Sequence, residues 1–277
     1  MSAQDTIESV TSRLFLLPMP RPWGEVTSQY LVVTELVTSS GASGTGFSWT
    51  VRAGAQAVKA MVDADCAPAV IGLPAVPEAV WDRLWWRLRE SGGGVTTLAM
   101  AAIDIALWDL IGQSLGVSVT GLLGGYADRM RVAHMVGFAA PGEMADEALR
   151  IREQHGITTF KVKVGRRPVQ LDITACRALR EALGEDAELY IDGNRGWTAA
   201  ESARALDQLA DVGLLFAEEL CRADDIVGRR WLVQHAAIPI YADESVSRPA
   251  EVTREILGGS ATGVSINDLV PDKTSGA

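Results

Sequence analysis

The stretch from Thr159 to Asn194, TFKVKVGRRPVQLDITACRALREALGEDAELYIDGN, decides the fold. It opens on a short apolar strand, TFKVKVG, passes through a helix-length segment from Val169 to Leu183, and returns to a second apolar strand, ELYIDGN. The same rhythm continues on both sides. RVAHMVGF (131–138), LLFAEEL (214–220), IPIYADES (238–245) and GVSIND (263–268) read as further strands. Segments from Gly142 to His155, Thr198 to Val212, Arg229 to Ala236 and Arg248 to Leu257 read as the helices between them. Strands alternating with helices in this way predict parallel βα units, and therefore a β/α barrel or a doubly wound sheet. No βα turn carries a Gly-rich phosphate fingerprint, which disfavours a nucleotide-binding sheet.

Upstream of Arg131 the pattern is different. Tyr30 to Thr38 is β-rich, Ser39-Ser40-Gly41 is a turn, and Gly44 to Thr50 returns, as in a hairpin. Met19-Pro-Arg-Pro-Trp-Gly24 reads as a Pro/Gly loop carrying Arg21 and Trp23, either a connector or a lid over a site. Residues 52–90 read as helical with a break at Gly72-Leu73-Pro74. From Thr96 to Leu115 the residues are apolar almost all round, apart from Asp104 and Asp109, so this helix is expected to be buried between layers. Two domains follow: an α+β domain over residues 1–128 and a β/α domain over 129–277.

The 277 residues are 48% hydrophobic, enough to fill a sizeable core. With 35 acidic against 25 basic side chains the formal net charge is -10, which opposes binding to nucleic acid or to an anionic membrane surface. An acidic chain handling an anionic substrate needs a local cation, so the acidity is itself a reason to look for a metal site. Cys66, Cys176 and Cys221 are odd in number and widely spaced, which argues against a disulfide framework or a structural zinc and suits a reducing cytoplasm. His134, His155 and His235 show no metal-type spacing. The N-terminus lacks the pattern of a signal peptide, and no apolar run reaches membrane-spanning length without a charge.

In β/α barrels the chemistry sits at the C-terminal ends of the strands. Here those ends are polar: Lys161 and Lys163, then Asp192 and Asn194, Glu218 and Glu219, Asp243 and Glu244. A Lys-x-Lys pair alone fits a solvated edge strand, since residues two apart share a face. Acids at strand ends also fit helix capping. Capping explains one such acid well and three consecutive ones poorly. Carboxylates converging on one rim repel one another unless a cation joins them, and Mg²⁺ accepts a few carboxylate oxygens with water or substrate completing its octahedron.

The combination FKVKVG, YIDGNRGWT, FAEEL and YADES resembles the enolase superfamily, within it the mandelate racemase and muconate-lactonizing branch. AMAAIDIALWDLIGQSLGVSVTGLLGG is similar to the helix and Gly-Gly exit that close that branch's N-terminal domain. The resemblance covers residues from about 5 to 266, and the intervals between Lys163, Asp192, Glu218 and Asp243 agree with it. It implies an α/β protein in which an α+β capping domain precedes an enolase-type (β/α) barrel. It also implies Mg²⁺ held by Asp192, Glu218 and Asp243, with Lys163 as acid/base and Lys161 as the ammonium beside it. Asn194 and Glu244 would support the site. The reaction implied is abstraction of a proton α to a carboxylate through a metal-stabilised enediolate, giving racemisation, epimerisation or cycloisomerisation of a small carboxylate, with acid-sugar dehydration as another outcome.

The family pattern has eight βα units, whereas this sequence reaches about six, and its tail from Asp268 to Ala277 reads as that of a truncated or frame-shifted chain. The position facing Lys163 on the sixth strand, a second lysine in the muconate-lactonizing subgroup, falls on Asn267, or on Asp268 if the register shifts by one residue, where mandelate racemase-like members use an Asp. Asn is no acid/base at neutral pH. A catalytically impaired chain that keeps only metal binding is therefore the alternative expectation. Unpaired barrel edges would favour association, with a homo-oligomer as the soluble form.

Overall fold

The computed structural model describes residues 5–23, 25–51 and 53–265. They fall into two units, with the boundary between Asp128 and Arg129.

The first unit is built on three antiparallel strands in the order β1 (Ile7–Trp23), β2 (Val26–Thr38) and β3 (Ser43–Thr50). The expected loop at Met19–Gly24 is corrected, because the backbone stays in β1 as far as Trp23, which pairs with Val26. Prolines 18, 20 and 22 make the segment look like a loop when only neighbouring residues are considered. Proline cannot donate to a ladder, but β1 lies at the edge of its sheet, where that donor is not needed.

Helices α1 (Ala55–Met61), α2 (Ala67–Val70) and α3 (Pro77–Leu88) follow, α1 and α2 being joined through a π-helical turn at Val62–Cys66. Then come α4 (Val95–Leu115) and the short α5 (Val119–Leu122). By length and composition α4 could cross a membrane, but most of it is buried inside this unit. Ala99, Ile103, Ala106, Leu107 and Leu110 join Val32, Leu36 and Val58 in one core. Gly44 and Gly46 allow that packing: a methyl group on either would collide with the α4 carbonyl oxygen of Ala106 or Ala102.

Asp5 pins the β2–β3 turn. Its carboxylate accepts hydrogen bonds from Thr38 Oγ1 (3.1 Å), Ser39 Oγ (3.1 Å), Ser40 N (3.1 Å) and Ser40 Oγ (2.9 Å). Desolvation pushes this carboxyl's pKa up, but the bonds from Ser40, Thr38 and Ser39 outweigh it and hold the group below its ordinary value. A depressed folded-state pKa contributes stability that is present above the unfolded value of ~3.9 and lost as pH falls through the folded value. Asp5→Asn is therefore expected to lower the melting temperature at pH 7, with the gap to wild type narrowing below about pH 4. Thermal unfolding across pH checks this; a gap that does not change with pH would contradict it.

The second unit runs β4 (Ala133–Gly137), α6 (Pro141–His155), β5 (Thr159–Lys163), α7 (Val169–Leu183), β6 (Glu188–Asp192), α8 (Ala199–Gln208), β7 (Leu214–Glu218), α9 (Ile226–His235), β8 (Ile240–Ala242), α10 (Pro249–Leu257) and β9 (Gly263–Val264). The six strands are parallel and lie side by side in chain order. A doubly wound sheet reverses direction part-way, so unbroken order selects the barrel-type winding. The expected strand GVSIND is strand only at Gly263–Val264; its last three residues lie outside the described ones.

Alternation along the strands separates packing from chemistry. Phe160, Val162, Leu189, Ile191 and Ala217 are buried in one core with Met144, Ile173 and Leu179. The residues between them on β5 and β6, Lys161, Lys163, Tyr190 and Asp192, face the other way.

Candidate active site

Lys163, Asp192 and Glu218 are the last residues of β5, β6 and β7 and are register partners across the parallel ladder. Asp243 follows the end of β8, two residues beyond Tyr241, the partner of Glu218. Asp192, Glu218, Asp243 and Lys163 are all buried. Gly137, the register partner of Lys163 on β4, keeps that side clear: a Cβ there would lie 2.5 Å from Lys163 Cβ.

One layer deeper, Lys161 pairs with Tyr190 and lies over its ring, 5.9 Å from the centroid. Tyr190 stacks on Phe216 at 4.4 Å and Phe216 on Tyr241 at 4.3 Å. These three rings form a floor under the carboxylates, and an apolar floor strengthens every charge interaction above it.

The two lysines converge on one oxygen. Lys163 Nζ is 2.5 Å from Asp192 Oδ2 and 2.7 Å from Asn194 Oδ1. Lys161 Nζ is 2.9 Å from the same Asp192 oxygen and 2.9 Å from Glu218 Oε2. Asn194 has a left-handed backbone (φ 40°), which asparagine tolerates better than most residues. Its amide N–H donates to Asp192 Oδ1 (2.9 Å) and its Nδ2 donates to Glu244 Oε1 (2.7 Å). The side-chain amide thus presents oxygen to an ammonium and nitrogen to a carboxylate, the only chemically sensible orientation.

The electrostatics correct one expectation. Two ammonium groups on one face of a strand are expected to make each other less willing to hold protons. Burial does disfavour the Lys161 ammonium, but attraction to Asp192 and Glu218 outweighs burial and raises its pKa. Lys161 is a fixed cation. Asp192 is likewise buried, yet Lys163 and Lys161 hold its carboxyl below the ordinary range. Asp243 behaves oppositely: burial, then the nearby Glu218 and Glu244, push its carboxyl up to about 7, and Lys161 only partly offsets them.

These observations bear on whether a divalent cation fits. The donor set at the three strand ends is entirely carboxylate oxygen, which suits a hard cation. The Lys161 ammonium already bridges Asp192 and Glu218, while burial and the neighbouring acids keep the Asp243 carboxyl raised. Among the described residues no three His, Cys, Asp or Glu side chains are gathered closely enough to hold a metal as they stand. The donor chemistry of the three strand ends fits Mg²⁺, with the Lys161 ammonium lying between Asp192 and Glu218.

The structure also brings in a residue to which sequence reasoning gave no role. Glu219 is buried and left-handed (φ 42°), and its carboxylate accepts from Asp243 N at 2.7 Å. The doubled acid in AEEL was the available signal, but nothing local distinguishes its two members. Of the other expected site residues, Asn267 and the side chains of Arg21 and Trp23 lie outside the described residues.

Comparison with known proteins agrees with this fold and rim. Residues 6–124 match the mandelate racemase / muconate lactonizing enzyme N-terminal domain, and residues 143–267 match the enolase C-terminal domain-like family. The chain belongs to the mandelate racemase and muconate-lactonizing branch of the enolase superfamily. It is similar to the 3,6-anhydro-α-L-galactonate cycloisomerase of Streptomyces coelicolor, 34% identical over 265 residues, covering 92% of this chain and 73% of that enzyme. Among solved structures it is similar to the muconate lactonizing enzyme of Mycobacterium smegmatis complexed with muconolactone. The identity there is 47% and the TM-score 0.86, over 96% of this chain and 73% of that one. A racemase from Streptomyces coelicolor with bound magnesium is 32% identical, with a TM-score of 0.85, over 92% of this chain and 74% of that one.

Proposed function

We propose that this chain acts as an Mg²⁺-dependent isomerase or lyase that removes a proton α to the carboxylate of a small organic acid, with Lys163 as the base. The observation that carries the proposal is the side-by-side placement of Lys163, Asp192 and Glu218 at successive strand ends, with Lys163 Nζ bonded to Asp192 and Asn194. The 47% identity to a muconate lactonizing enzyme supports cycloisomerisation as the first reaction to try.

Asp192, Glu218 and Asp243 would hold the ion. When bound, Mg²⁺ supplies positive charge beside the substrate carboxylate, worth several kcal/mol where negative charge develops as the α-proton leaves. The remaining roles belong to the chain. Lys163 Nζ receives the proton, and Asn194 Oδ1, 2.7 Å away, holds that nitrogen in a fixed direction. The fixed charge of Lys161 attracts the substrate's carboxylate. The stacked floor of Tyr190, Phe216 and Tyr241 limits water beneath the reacting atoms. We place the reaction in the cytoplasm; the free thiols of Cys66, Cys176 and Cys221 are in keeping with a reducing compartment.

The test is exchange of a substrate α-proton in deuterated solvent, followed by NMR, over a panel of muconates, acid sugars, hydroxy acids and N-acyl amino acids. Exchange is expected with at least one class, stopping on chelation and returning with Mg²⁺. Exchange indifferent to chelation, or none across the panel, would remove the proposal.

A further inference from the structure

Glu219 ties together the exits of three strands. Its backbone N–H donates to Tyr241 O (2.9 Å) at the end of β8, and its carbonyl accepts from Arg195 N (2.7 Å) beyond β6. Its side chain accepts from Asp243 N (2.7 Å) and Ser245 N (3.3 Å) at one carboxylate oxygen and from Ser245 Oγ at the other. All of this converges on the segment Asp243–Ser245, which carries the third of the rim carboxylates.

The backbone shows how much the position matters. Glu219 takes a left-handed conformation at φ 42°, uncommon for a residue other than Gly, Asn or Asp and costing about 1–3 kcal/mol. That turn sends its side chain across to β8 while Glu218, one residue earlier, meets Lys161. Two adjacent acids are thereby given different tasks.

We infer that Glu219 is a positioning residue that fixes the Asp243–Ser245 segment so that the Asp243 carboxylate is held ready for the divalent cation. The inference rests on the cation reading of the rim given above. It makes geometry, not charge, the essential property of Glu219, and this can be separated experimentally. Gln at this position can reproduce the pattern: its amide oxygen can accept from both backbone N–H groups, and its nitrogen can donate to Ser245 Oγ. Asp keeps the charge but is one methylene too short to reach.

The experiment is Mn²⁺ binding, read by electron paramagnetic resonance, to the full chain and to Glu219→Gln, Glu219→Asp and Glu219→Ala, together with amide hydrogen exchange at residues 243–245. Affinity is expected to fall about 10–100-fold in Glu219→Ala and Glu219→Asp, as when partners that orient metal ligands are removed, and to stay within about threefold in Glu219→Gln. Exchange at Asp243 and Ser245 should quicken in the first two variants only. If Glu219→Asp binds normally and Glu219→Gln does not, charge is what matters and the inference is overturned. Equal affinity in wild type and all the variants, with only a lower melting temperature, would reduce Glu219 to a brace for the fold. If the wild-type chain binds no Mn²⁺, the cation reading fails and this inference fails with it. Binding that is present but insensitive to Glu219 sinks the inference alone.

Discussion

Lys163→Ala is expected to abolish exchange of the substrate α-proton while leaving divalent-cation binding within a few-fold of wild type. The two readouts separate because the lysine and the carboxylates do different work. Removing a positioned general base costs about 10²–10⁴-fold in rate. The carboxylates keep a counter-charge meanwhile, since Lys161 Nζ remains 2.9 Å from both Asp192 and Glu218. No other lysine substitutes: Lys161 is held as an ammonium by those acids, and a protonated amine is no base. Loss of exchange with retained cation binding, measured where the variant is still folded, supports the assignment; some loss of melting temperature is expected, because Lys163 is buried and paired with Asp192. Exchange persisting at near wild-type rate would move the base elsewhere on the rim.

Asp192→Asn is expected to damage both stability and cation binding, and more severely than a change at any exposed acid. Asp192 has no exposed surface, and one of its oxygens anchors both lysines, at 2.5 Å from Lys163 and 2.9 Å from Lys161. The neutral amide leaves the Lys161 ammonium and Lys163 without the carboxylate that joins them in a largely buried layer. Breaking a buried charge pair by removing one partner costs about 3–5 kcal/mol. For a unit of this size that corresponds to a fall in melting temperature of about 10 °C. Calorimetry with and without Mg²⁺ measures both effects: the metal-dependent rise in melting temperature expected for wild type should vanish. The contrasting control is Asp224→Asn, whose exposed pair with Arg222 contributes little. If Asp192→Asn unfolds like wild type and still responds to Mg²⁺, neither the pairing nor the metal role assigned to Asp192 holds.

Much of the rim was legible in the sequence because the information is local. Alternation of apolar residues marks Phe160, Val162, Leu189 and Ile191 as the packed face, which leaves Lys161, Lys163 and Asp192 on the other. A polar residue ending an otherwise apolar strand stands out without any knowledge of its neighbours. The buried character of α4 was equally plain, since a helix apolar on all sides has nowhere to go but between layers. The extent of β1 was not legible: its prolines argue against a strand until pairing places it at a sheet edge.

By itself, then, the sequence determined the alternation of strands and helices in the second unit and which residue types stand at the strand ends, through propensity and periodicity acting over a few residues. The tertiary structure decided the rest. Strand order selected barrel winding over a doubly wound sheet. The Lys161 ammonium proved to be a bridge between Asp192 and Glu218, and Glu219 proved to be bonded to the next strand's exit while Glu218 faces the lysine. The reason is distance along the chain. The contacts that set these roles join residues 24, 29 and 50 positions apart, and no local pattern encodes which of two adjacent acids will meet which partner until the strands lie side by side.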